Sequence, residues 1–361
     1  MGKGPCRMSD QVHSEEYYKK LTEHANKLAL KNPGLNLLRN HPTGEYSIMA
    51  QALETLLQER NAKRLLVLPN LTAFSNDALG VFSDYSGEDH SARYLIYAVL
   101  VCGYRYTGAF CERMKGVRET YKLGDKEIAF KDFGMGQIQA SLGDYLDAAN
   151  WLPGFLCTMA VDKRIPTLFG ALNDPSVPDM LVNILEDLKL GGREPREVEK
   201  LLRIVHMVAY LIALLGVDGQ KILWMSDHDA ICANPKQHES MMAVLQRVLA
   251  VYSRPGVTYP LLGGALPFKP RSIEMNDLLS LSDVVAGSIA QYLTKSVTER
   301  KEDIILKPGA EKVVTFLAGD GVGLKKAVFL ILLNTEGNIE FATMHFSLVN
   351  PPVRTFVPIY D

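Results

Sequence analysis

The chain reads as an α/β protein in which helices flank a mixed β-sheet. Two observations predict this class. Three apolar, β-rich segments come first, at 79–84, 92–102 and 154–161, and helical and extended segments alternate after them. A short turn at Ser86-Gly87 separates the first two segments, which suits an antiparallel pair. In such a sheet the fourth strand, 221–227, lies beside the first and parallel to it. Their carboxyl ends then border the topological switch point, where ligands bind.

Residues 1–75 read as a helical N-terminal extension. Tyr17, Leu21, Ala25 and Leu28 recur at helical spacing over 10–31, with Asp10 as cap and Asn32-Pro33-Gly34 as stop. A second helix is expected from Tyr46 to Arg60, with Met49, Ala52, Leu53, Leu56 and Leu57 on one face, and Leu65–Leu71 as a short extended piece. The main domain spans 76–298. After its second strand comes a basic segment, 104–122, read as a helix carrying Arg105, Arg113, Lys115, Arg118 and Lys122. A charged turn at 126–133 and a helix over 135–150 lead to the third strand, which ends in Asp162-Lys163-Arg164. A long helical region, 179–215, is interrupted at Gly191-Gly192 and precedes the fourth strand. A helix over 237–252, a short strand near 257–262 and a helix over 277–294 capped by Asn276 or Asp277 complete the domain. Residues 299–361 form a small α+β appendage: a helix over 309–318, then a hairpin of 326–334 and 338–348 around Thr335-Glu336-Gly337.

Composition narrows the function classes. An apolar fraction of 47% supports a full core, and a net charge of −2 leaves any nucleic-acid contact to a local basic patch. The five cysteines form no C-x-x-C pair, which fits a reducing, cytoplasmic setting; Cys102 and Cys157 read as small buried hydrophobes. No run approaches the ~20 apolar residues of a membrane span, so no membrane partner is expected. Gly319–Lys325 suggests a phosphate loop but lacks Walker spacing, and reads as a loop before a strand.

The chemistry is carried by acids. Asp84 ends the first strand and Asp227 the fourth, at the rim of the sheet. Asp283 sits in an otherwise apolar helix, with Leu279, Ser280, Ala286 and Gly287 as helical neighbours. A carboxylate on a buried face is costly unless it is paired, hydrogen-bonded or metal-bound. An arginine or a backbone amide could satisfy Asp283; three converging carboxylates instead call for a divalent cation. Oxygen ligands favour Mg²⁺ or Mn²⁺ over zinc, and two such ions ~4 Å apart form the clamp of in-line phosphodiester cleavage. Asp229 competes with Asp227 as ligand. Lys131, Lys163 and Arg164 are candidates for phosphate contact, and His228 reads as a solvated loop residue.

Five segments, Phe82–Gly87, Glu127–Asp132, Val161–Lys163, the strand ending at Asp227, and Leu281–Gly287, together resemble the DUF3800 family, over roughly residues 79–295. The resemblance implies a ribonuclease H-like fold and a metal-dependent nuclease-like site of Asp84, Glu127, Asp227 and Asp283. Family members usually carry an acid after the first aspartate. Here that position is Tyr85, so the second carboxylate is either missing or replaced by Glu88 or Asp89. Glu127 precedes the third strand, whereas ribonuclease H-like enzymes place the glutamate on a helix after it. The expected function is thus a two-metal phosphodiesterase, a nuclease, for which a bacterial defence or toxin system is one setting. The alternative is a non-catalytic ribonuclease H-like module that binds nucleic acid or protein. The terminal pieces favour a homodimer, the other outcome being that they extend the monomer.

Overall fold

In the computed structural model the described residues are 27–40, 46–73, 76–170, 174–187, 194–228, 231–265, 272–298 and 304–347, with the isolated positions 16, 19 and 23. Seven strands form one sheet: β1 (Ala78–Ser86), β2 (Tyr94–Gly103), β3 (Gly154–Asp162), β4 (Lys221–Ser226), β5 (Leu262–Gly264), β6 (Leu324–Leu333) and β7 (Ile339–Met344). Their spatial order is β5-β4-β1-β2-β3-β6-β7. β2 is antiparallel to both β1 and β3, while β4 runs parallel to β1 and β5 parallel to β4.

The centre of the sheet follows from composition. β1 begins as a continuous apolar run buried on both sides, which is what a strand covered by helices on two faces requires. Alternation along it divides two cores. Leu79 and Val81 face one, beneath α1 (Ile48–Ala62), α5 (Pro195–Leu215) and α6 (Pro235–Tyr252). Phe82 faces the other, with Ile96, Ala98 and Leu100 of β2, beneath α2 (Gly108–Thr120), α3 (Gly136–Ala149), α7 (Ile273–Thr298) and α8 (Pro308–Leu317). A shorter helix, α4 (Val177–Asp187), packs beside α5. The result is three layers, helix on sheet on helix.

Several expectations shift at the boundaries. The short strand expected near 257–262 forms at Leu262–Gly264. The helix expected to start at Asn276 or Asp277 starts at Ile273, because Ser272 supplies the cap: its Oγ accepts from the Met275 amide at 3.3 Å. Asp277 is therefore inside the helix, buried and ion-paired with Arg118. The extended piece expected over Leu65–Leu71 is reduced to a single bridge between Pro69 and Ala29. Most of the helix expected over 10–31 lies outside the described residues, as does Gly191-Gly192. The C-terminal hairpin does form, around a turn in which Asn334 Oδ1 accepts from the amides of Glu336 and Asn338 at 3.0 and 2.9 Å. It joins the same sheet, β6 lying parallel to β3 and β7 closing the edge. Cys102 and Cys157 are buried free thiols.

Candidate carboxylate site at the sheet edge

Asp84 and Asp227 are brought together by strand register. Ser83 pairs with Ser226 in the parallel ladder, and the Asp227 amide extends that ladder by donating to the Ser83 carbonyl at 3.0 Å. The next residues, Asp84 and Asp227, are therefore neighbours on strands that lie about 4.8 Å apart. Both fall on the face of Phe82 and Met225, which is covered by α7. Asp84 is buried, with Oδ1 accepting from the Tyr85 amide at 2.5 Å.

α7 carries Asp283 over this face. Ser282 Oγ donates to the Phe82 carbonyl at 2.9 Å, which fixes the helix one residue from Asp283 and the strand two residues from Asp84. Asp283 Oδ2 accepts from the Phe130 amide at 3.0 Å. That amide reaches it because α7 has no side chain at Gly287, one turn on: a Cβ there would lie 2.2 Å from Phe130 Cγ. The small residue thus admits the ring of the 126–133 segment. The same segment is held from behind by Arg118. Its Nη1 donates to the carbonyls of Gly124 and Lys126 at 2.7 and 3.1 Å, and its Nε to Asp277 at 3.0 Å. Arg118, part of the basic segment in the sequence, is instead a half-buried brace for the stretch that carries Glu127, Phe130 and Lys131.

The electrostatics connect these groups. Burial first, then the charges of Asp227 and Glu127, push the Asp283 carboxyl up to about 7. The Phe130 amide and the Lys131 ammonium act in the opposite direction. Asp283 therefore feels both other acids, and Lys131 is the candidate phosphate-binding cation that shares their field. Glu127 itself is exposed.

The other candidates lie elsewhere. Lys163 donates to the Asp89 carbonyl at 2.5 Å and lines a cleft on the opposite face of the sheet. Arg164 is tied to Asp162 at 2.8 Å and to the Leu333 carbonyl. Burial would raise Asp162, but Arg164 and Arg93 hold it well below the usual carboxylate range. His228 is exposed, with Nε2 3.2 Å from the Ala233 carbonyl, and Asp229 lies outside the described residues. Tyr85 points away from Asp84, as alternation demands. Its hydroxyl lies 2.7 Å from Ser83 Oγ and 3.0 Å from Ser226 Oγ, and Trp224 Nε1 donates to Ser83 Oγ at 2.9 Å. This buried polar network locks the ends of β1 and β4 from behind. Glu88 pairs with Lys200, and Asp89 caps its own turn by accepting from Ser91, so neither joins Asp84.

An oxygen-only donor set around a carboxyl that burial and neighbouring anions disfavour as an anion suits a hard divalent cation. Among the described residues, no three His, Cys, Asp or Glu side chains already converge closely enough to hold one. Also among the described residues, no helix is long and apolar enough to cross a membrane. No family model, no curated protein and no solved structure matches the chain.

Proposed function

We propose that the chain is a metal-dependent phosphodiesterase, a nuclease, with a ribonuclease H-like core in which Asp84, Asp227 and Asp283 hold Mg²⁺ or Mn²⁺ and Glu127 completes the set. The single observation carrying this function is the Asp283 carboxyl, raised to about 7 by burial and then by the charges of Asp227 and Glu127. One acid from a strand end, one from a covering helix and one from a loop share a field that a cation would relieve, and Asp84 is the strand neighbour of the first. Supporting it is the position of β4 beside β1 and parallel to it, which the order of elements leads one to expect and which sets Asp84 next to Asp227.

The chain's own groups have separate tasks. Asp84 and Asp227 are presented by rigid strand ends, so their positions cost little reorganisation. Asp283 is oriented by the Phe130 amide, which donates to Oδ2. Lys131 offers the positive charge for a nucleic-acid phosphate. Bound divalent ions would supply an activated water and stabilise charge developing on the scissile phosphate.

The test is cleavage of labelled single- and double-stranded DNA and RNA with Mn²⁺, by the wild type and by Asp84→Asn. The wild type should cleave at least one substrate, and the variant should lose at least ~100-fold of that rate while keeping its fold. A second function, a nucleic-acid-binding module without catalysis, is favoured by one observation: no three described acids stand at ligand distance from one point. It is chosen instead if both proteins bind nucleic acid equally and neither cleaves.

A further inference from the structure

Position 85, where the resemblance implies an acid, carries a tyrosine that ties together the two strands presenting Asp84 and Asp227. Ser83 of β1 and Ser226 of β4 are the last register partners of those strands and immediately precede the two acids. They are 0% and 1% exposed. The Tyr85 hydroxyl lies 2.7 Å from Ser83 Oγ and 3.0 Å from Ser226 Oγ. Trp224 Nε1 donates to Ser83 Oγ at 2.9 Å, so Ser83 keeps a hydrogen to give Tyr85, and Tyr85 one to give Ser226. Every hydroxyl of this chain then has a partner.

The two strand ends differ in what else holds them. β1 continues past Ser83 and pairs with β2 through Tyr85–Tyr97 and Ser86–Ile96. The Tyr85 ring is packed as well, 6.0 Å from the tilted Tyr97 ring and 5.3 Å from the Lys200 ammonium. β4, in contrast, ends at Ser226. Asp227, one residue further, donates its amide to the Ser83 carbonyl at 3.0 Å. The Tyr85 bridge adds a side-chain tie from the anchored strand to the end that carries Asp227. Groups one shell behind a metal ligand fix its orientation, and losing one typically weakens metal binding about 10–100-fold.

We propose that Tyr85 is a positioning residue of the carboxylate site, fixing the end of β4 so that Asp227 stays beside Asp84. The effect on metal binding rests on the function proposed above; the effect on β4 does not. Tyr85→Phe keeps the ring and removes the bridge, and Ser226→Ala removes it from the other strand. Amide hydrogen exchange of the full chain in EDTA should show Asp227 exchanging ~10-fold faster in both variants, relative to the β2–β3 amides that report global unfolding. Mn²⁺ titration followed by electron paramagnetic resonance should give a Kd raised ~10-fold or more in both. Tyr210→Phe, which removes a buried hydroxyl bonded to Glu54, is the control for a general loss of stability and should change neither. The proposal is overturned if the Asp227 amide of Tyr85→Phe exchanges at the wild-type rate, or if it exchanges faster with Mn²⁺ affinity unchanged. It is equally overturned if Tyr210→Phe reproduces both effects. A wild type that binds no Mn²⁺ removes the metal site, and Asp227 exchange alone then decides the role of Tyr85.

Discussion

Asp283 is where the account is most exposed at the level of a single residue. Its carboxyl lies near 7 in the folded chain against a reference value of 3.8, with burial the main cause. Between about pH 4 and 7 the folded state therefore binds more protons than the unfolded state, and the metal-free protein loses stability as pH rises through that window. Asp283→Asn removes the titrating group. Urea unfolding in EDTA should show the wild type losing on the order of 1–3 kcal/mol more than the variant between pH 4.5 and 8. Identical pH slopes would mean that the carboxyl is not strained by its surroundings. The same logic gives the sign of a metal effect: a cation that favours the ionised form removes the penalty and is felt most above pH 7.

At the level of elements, the strand ends and α7 do the positioning, and they differ in how readable they are from sequence. Asp84 and Asp227 were legible because each closes an apolar, β-rich run, and parallel pairing of β1 with β4 follows from the order of elements. Asp283 was legible as the acid in an apolar helix. The 126–133 segment was not, since its course depends on Arg118 reaching carbonyls from another helix and on a ring filling the space above Gly287, both tertiary contacts without a local pattern. The partners of Lys163 and Arg164 were hidden for the same reason: charged residues at strand ends look alike until the sheet's two faces are assigned. Gly287→Val makes the element-scale prediction. The added side chain must displace Phe130, costing roughly 2 kcal/mol. It also takes the Phe130 amide from Asp283, so the pH window of lost stability should extend upward. Urea unfolding across pH reads both effects, and a variant with wild-type stability and slope would show that Phe130 is not braced by the helix.

For the whole molecule, one seven-stranded sheet presents the candidate carboxylates at one edge, under α7. The C-terminal hairpin extends that sheet and leaves β7 as its outer strand among the described residues. The outer strand is the feature on which a homodimer is proposed, because the apolar face of α1 is already buried in the core. Sedimentation velocity at tens of micromolar should then give a dimer; a monomer would contradict the dimer and leave the carboxylate site unaffected. The carboxylate site itself is tested most directly by anomalous scattering from crystals soaked in Mn²⁺. The account predicts anomalous peaks bounded by Asp84, Asp227 and Asp283, absent in Asp84→Asn. Fully soaked crystals with no peak among these three residues would contradict it.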